Sequence, residues 1–206
     1  MRWTSVAIAL AAAAASAGAQ DARLAVIRDD ATRDAVRQFV EAARARGTPT
    51  DPLVARALEG VAFKADRKKI EQALAALEKR LRRSRDVLGP HATVEEVTAA
   101  ADALAADVPE GTIRDMKRIV PQRAITVELG VLTELVARGV APKRAAAMVR
   151  ELMARGATGA QLTELNAAVQ QDVALGVKPV AALELRSRGV MSLLPPPASV
   201  LSAQRP

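Results

Sequence analysis

The chain has 206 residues, half of them hydrophobic, and a formal net charge of +7. It contains no cysteine or tyrosine, one histidine, two phenylalanines and one tryptophan. This composition excludes disulfides and leaves no clustered cysteine–histidine set for a metal ion. The alanine- and leucine-rich remainder favours helices, because alanine is the best helix former whereas strands prefer β-branched and aromatic residues.

The first twenty residues have the layout of a secretory signal peptide. Arg2 precedes an apolar run over 6–15, and Ala17, Gly18 and Ala19 form an A-x-A cleavage site. The alternative is an uncleaved anchor, but the run is shorter than the ~20 residues that a transmembrane helix needs. We therefore expect residues 1–19 to be removed. The mature protein should be periplasmic or extracellular, with no transmembrane segment.

Apolar residues at helical spacing predict three helices in the first half of the mature chain. The first covers 31–46 and stops at Gly47, and Asp51 and Pro52 start a second, short one. The third and longest covers 66–88 and ends at Gly89 and Pro90. Its apolar seam consists of Ile70, Leu74, Leu77, Leu81 and Leu88, with Ser84 in the remaining position.

The second half predicts further short helices, separated by prolines, glycines and capping signatures. Thr93 with Glu96, and Thr158 with Gln161, have the spacing of capping boxes. The remaining starts and stops are Pro109, Pro121, Gly139, Pro142, Gly156, Gly176 and Pro179.

Four helical patterns end at an Arg-Gly pair: Arg46-Gly47, Arg138-Gly139, Arg155-Gly156 and Arg188-Gly189. Glycine adopts the left-handed conformation after a helix without steric cost, and a cation there faces the negative end of the helix dipole. We interpret the pair as a helix stop. The alternative is a degenerate helical repeat, since Leu-Val-Ala-Arg-Gly at 135–139 returns as Leu-Met-Ala-Arg-Gly at 152–156.

The sequence thus predicts an all-α fold, a compact array of about seven to nine short helices plus one long helix. The helical domain should span 20–189, with a sub-boundary near 89–92. Residues 190–206, rich in proline, are expected to form a disordered tail.

No residue pattern indicates an enzyme or a cofactor site. The single histidine, His91, falls in a predicted loop without a partner ligand, and the glycines are too dispersed for a phosphate-binding loop. Glu95 and Glu96 are adjacent, so they point about 100° apart on a helix. Glu71 and Glu78 are flanked by arginines, which favours surface ion pairs such as Glu78 with Arg82.

One helix holds most of the excess positive charge. Between 64 and 85 there are nine cations against three acids, a difference of six positive charges. We expect these cations to face solvent, opposite the apolar seam. They are Lys64, Arg67, Lys68, Lys69, Lys79, Arg80, Arg82, Arg83 and Arg85.

These features favour an exported, non-catalytic structural or protein-interaction module of the bacterial cell envelope, whose partner would be another envelope protein. The alternative is a polyanion-binding module that uses the basic helix for anionic lipid or lipopolysaccharide. The cations could equally form only a solvated face. Nucleic acid ranks lower, because export separates the protein from most of it and the chain lacks aromatic residues for base stacking.

Overall fold

The computed structural model describes residues 22–195. That range contains nine complete α-helices, a short helical stretch at 22–24 and no strand, which confirms the all-α fold class. The predicted signal peptide and residues 196–206 of the predicted tail lie outside the described residues. The helices are α1 Asp30–Ala45, α2 Asp51–Ala62, α3 Arg67–Leu88, α4 Val94–Ala105, α5 Glu110–Ile119, α6 Thr126–Ala137, α7 Pro142–Ala154, α8 Gly159–Ala174 and α9 Pro179–Ser192.

Helix α3 carries the predicted apolar seam. Leu74, Leu81 and Ser84 are fully buried, and Ile70 and Leu77 are nearly so. Burying one such leucine side chain contributes roughly 1.5–3 kcal/mol. The Asp66 carboxylate accepts a hydrogen bond from the Lys69 backbone N–H at 2.8 Å and so caps the start of this helix.

Three of the four Arg-Gly pairs end helices as predicted. Gly47, Gly139 and Gly156 have φ values of 73°, 94° and 85°. Behind Gly156, the Ala157 N–H donates to the Leu152 carbonyl at 2.9 Å, the reverse hydrogen bond of a Schellman motif. Equivalent bonds follow Gly47 and Gly139. The arginine in each pair is the C-cap residue.

The fourth pair does not end a helix. Gly189 lies inside α9, which continues to Ser192, so the predicted stop at Arg188-Gly189 is wrong. Glycine permits a left-handed residue but does not force one, and Gly189 keeps the helical conformation. Conversely, α2 and α4 end with left-handed residues that are not glycine, Lys64 (φ 55°) and Asp107 (φ 59°).

The two capping boxes differ. At Thr158, the hydroxyl accepts from the Gln161 N–H and the Gln161 side chain accepts from the Thr158 N–H, which completes the box. At Thr93, the hydroxyl accepts from the Glu96 N–H at 3.1 Å. The Glu96 side chain does not return to Thr93 as expected, because a buried interaction elsewhere engages it.

The described residues divide into two compact units, and the division falls inside α3, between Arg82 and Arg83. In the first unit, α1 contacts α2, and α2 approaches α3 closely at Gly60. A Cβ at Gly60 would lie 2.9 Å from Ile70 Cγ1, so only glycine fits without displacing the isoleucine.

The second unit has its helices in two rows. Helices α4, α6 and α8 contact one another in sequence, and so do α5, α7 and α9. The rows are joined because α6 contacts α7 and α8 contacts α9. This contact pattern resembles the stacked helix pairs of solenoid repeats. The contacts between helices therefore favour the degenerate helical repeat more directly than the spacing of the glycines does, because that spacing is irregular.

Candidate functional site

The cations predicted on the long helix are exposed, with two exceptions. Arg80 and Arg85 are half-buried, and the Nε atom of each is enclosed without a hydrogen-bond partner. The exposed residues are Lys64, Arg67, Lys68, Lys69, Lys79, Arg82 and Arg83. Lys64 was expected on the long helix but lies before it, because α3 begins at Arg67. The expectation that every cation faces solvent therefore fails for Arg80 and Arg85, which flank the apolar seam rather than oppose it.

Three of the exposed cations are neutralised by acids. Arg67 lies 3.6 Å from Glu71, Lys69 lies 3.4 Å from Asp66, and Arg83 pairs with Glu110 of α5. The hydrogen bond that the Lys69 N–H donates holds the pKa of Asp66 below its ordinary value, so this acid stays ionised. Of the nine cations between 64 and 85, four are exposed and form no ion pair with the residues that the structure describes. These are Lys64, Lys68, Lys79 and Arg82.

The expected pair between Glu78 and Arg82 is wrong. Glu78 is buried and accepts a hydrogen bond from Arg46 Nε at 2.7 Å, which joins α3 to the end of α1. A buried carboxylate needs a partner more than an exposed one does, so the distant arginine displaces the helical neighbour. Arg82 is thereby left available, although Asp86 lies one turn further along the helix.

Lys68 and Lys79 lie on the same side of α3. Eleven residues separate them, which is close to three full turns and about 16 Å along the axis. Between them this side of the helix presents Gln72 and Ala75, and Glu71, with Arg67 at 3.6 Å, lies at its edge. We call this side of α3, from Lys68 to Lys79, the basic strip.

An open groove lies alongside this strip, between α1 and α3. Its volume is about 660 Å³, and it belongs entirely to the first unit. The half-buried ring of Phe39 contributes the largest apolar side chain. The lining residues are Ala35, Gln38, Phe39, Lys68, Glu71, Gln72 and Ala75.

A second concentration of ionisable groups is buried in the second unit. The Glu96 carboxylate accepts hydrogen bonds from Lys117 Nζ at 2.9 Å and from the Ile125 N–H at 3.0 Å. Glu128 is fully buried, and its Oε1 lies 2.6 Å from Arg123 Nη1 outside hydrogen-bonding geometry. These groups link α4, α5 and the start of α6, and they open onto none of the grooves described here.

Other predicted features take no part in a site. His91 is exposed in the loop before α4, as predicted. Among residues 22–195, no group of three or more histidine, aspartate or glutamate side chains is placed to hold a metal ion. None of the described helices has the length and apolar character needed to cross a membrane.

Comparisons with protein-family models, with curated proteins and with solved structures each found no match to this chain. The residues and their geometry are therefore the basis for assigning a function.

The sequence located the basic helix but not the groove beside it. Phe39 is one of the apolar residues at helical spacing within the predicted helix 31–46, but its partial exposure depends on how α1 packs against α3. The one sequence signal was the uncharged stretch of Gln72, Ala75 and Ala76 on the exposed face of a helix otherwise rich in cations.

Proposed function

We propose that this chain is an exported, non-catalytic helical module of the bacterial cell envelope that acts in protein interaction or as a structural component. Export is inferred from Arg2, the apolar run and the A-x-A site of the sequence. The two rows of stacked helices in the second unit support the interaction role, because stacked helix pairs present extended binding surfaces.

The observation that carries this proposal is an apolar groove between α8 and α9. Leu185 and Leu193 border it with 58% and 78% of their surface exposed. The small residues Ala168 and Gly189 also line the groove and leave space between the two leucines. Exposed leucines that are grouped in this way are typical of surfaces that another protein covers.

A photo-crosslinking residue at position 185, introduced in the native host, would test the interaction role. Adducts with one envelope protein should form at 185 and should disappear when Leu193→Asp is added. The matched control is the same crosslinker at Glu151, which is exposed on α7 outside the groove. Equal adducts at both positions, or none at 185, would refute the role of the groove.

Export is tested separately. Mass spectrometry of the protein from its host should find an N-terminus at or near Gln20. Full-length protein that starts at Met1 and resides in the cytosol would refute the envelope assignment without bearing on the groove.

Polyanion binding through α3 is the second candidate function. It is favoured by three exposed cations of α3 that lack an ion pair, Lys68, Lys79 and Arg82, and by Lys64 in the loop before this helix. Binding driven by exposed cations must weaken as salt rises, whereas binding in the α8–α9 groove should change little. Arg80 and Arg83 are unsuitable for charge reversal, because Arg80 is half-buried and Arg83 pairs with Glu110. Lys68→Glu, Lys79→Glu and Arg82→Glu should remove binding without unfolding the chain.

A further inference from the structure

We infer that the groove between α1 and α3 binds a phosphate-bearing lipid at the surface of an anionic membrane. Its phosphate contacts the basic strip, and its apolar part lies against Phe39. The inference rests on the polyanion-binding candidate and assigns that function a ligand class and a place. Both the groove and the strip belong to the first unit.

The groove combines two kinds of surface that an amphiphile requires. Its walls are largely apolar, from Phe39 and the alanines at 35 and 75, and its polar rim includes Gln38 and Lys68. An inorganic anion would use the rim and leave the apolar walls in water. A neutral apolar ligand would leave Lys68 without a counter-charge. A lipid phosphate with an attached chain satisfies both surfaces.

The lining of the groove contains one lysine and one glutamate, and the excess positive charge beside it comes from Arg67 and Lys79 of α3. Glu71 is the one carboxylate that lines it, and Arg67 lies 3.6 Å from this acid. Lys68 and Lys79, at the two ends of the strip, have no acidic partner within the described residues. About 16 Å of helix separates the two lysines, too far for them to share one phosphate. The strip therefore suits several lipid headgroups presented side by side.

The test compares binding of the protein to vesicles of phosphatidylcholine alone and to vesicles that also contain phosphatidylglycerol. At low salt the wild type should bind only the second kind and should dissociate as salt rises. Lys68→Gln with Lys79→Gln should weaken binding roughly 10- to 30-fold. The matched control, Lys143→Gln with Lys178→Gln, removes the same charge from exposed lysines of the second unit and should weaken it by about threefold or less.

A second pair of variants isolates the groove from the charge. Ala75 and Ala76 are neighbouring exposed residues of α3, and only Ala75 lines the groove. A glutamate at either position adds the same charge within about one turn of Lys79. Ala75→Glu should abolish vesicle binding, whereas Ala76→Glu should reduce it only as far as its charge requires. Both variants should keep the helical circular dichroism of the wild type.

The outcomes separate this inference from the function on which it rests. If soluble polyphosphate binds as tightly as the vesicles and the two glutamate variants behave alike, polyanion binding stands and the lipid groove is refuted. If the wild type binds neither vesicles nor polyphosphate at low salt, both are refuted. Equal losses in the two lysine pairs would also refute the groove, because overall charge would then explain the binding.

Discussion

Replacing Gly156 and Gly189 by alanine, one at a time, should change stability in opposite directions. Each glycine follows an arginine, and an added Cβ at either position would meet no atom within 4 Å. Steric clashes with the rest of the protein therefore contribute to the stability change of neither variant. The remaining difference is the backbone, since Gly156 has φ of +85° and Gly189 lies within helix α9.

The magnitudes follow from the two conformations. A left-handed residue with a Cβ costs roughly 1–2 kcal/mol relative to glycine, and the stiffer unfolded chain returns about 0.4–1 kcal/mol. Gly156→Ala should therefore destabilise the protein by about 1 kcal/mol. Within a helix, alanine is favoured over glycine by roughly 0.5–1 kcal/mol, so Gly189→Ala should stabilise by about that amount.

Urea unfolding followed by far-UV circular dichroism measures both variants, with the wild type as reference. The transition midpoints should move to opposite sides of the wild-type midpoint, and the slopes of the transitions should stay unchanged. Midpoints that move in the same direction would contradict either the left-handed conformation of Gly156 or the helical conformation of Gly189. A changed slope would instead show that the substitution alters the compactness of the native or the unfolded state.

Three further variants test the core and the buried charges. Leu81→Ala, at a fully buried seam position, should destabilise by about 2–5 kcal/mol in urea unfolding, and a change below 1 kcal/mol would place the seam elsewhere. Lys117→Met leaves the buried Glu96 carboxylate without its cation and should destabilise by about 3 kcal/mol, whereas adding Glu96→Leu should restore part of that loss; no restoration would refute the pairing. The hydrogen bonds that Arg186 donates hold the pKa of Asp172 below its ordinary value of 3.8, so this pair stabilises the fold above that pH and loses its effect as pH falls further. Arg186→Gln should therefore raise the pKa of Asp172, measured by NMR titration. The variant should be less stable than the wild type at neutral pH, and this difference in free energy of unfolding should shrink as the pH falls below 3.8. An unchanged pKa would contradict the pairing.

The sequence by itself determined where most helices begin and end, because capping is a local interaction. Thr158 and Gln161 are three residues apart, so their hydrogen bonds depend on nothing outside one turn. The left-handed conformations of Gly139 and Gly156 likewise depend on residues close by in the sequence. The seam of α3 was also readable, since one helix face repeats at a fixed spacing and an apolar face must be covered.

Tertiary structure decided which charges pair and which remain available. Glu78 bonds to Arg46, thirty-two positions away, instead of to Arg82 on the same helix. Glu96 turns from its expected capping role to Lys117 because its carboxylate is buried where that ammonium reaches it. Burial raises the cost of an unpaired charge, and burial is set by which helices meet rather than by spacing along the chain.

The same dependence applies to the surfaces that carry the proposed functions. Gly189 follows an arginine as Gly156 does, yet it remains helical and leaves space in the groove between α8 and α9. Phe39 and Lys68 are far apart in the sequence and line one groove only because α1 packs beside α3. Periodicity along a helix identifies the side that is covered. Periodicity does not say which other helix covers that side. The covering helix determines whether the residues left exposed form a groove.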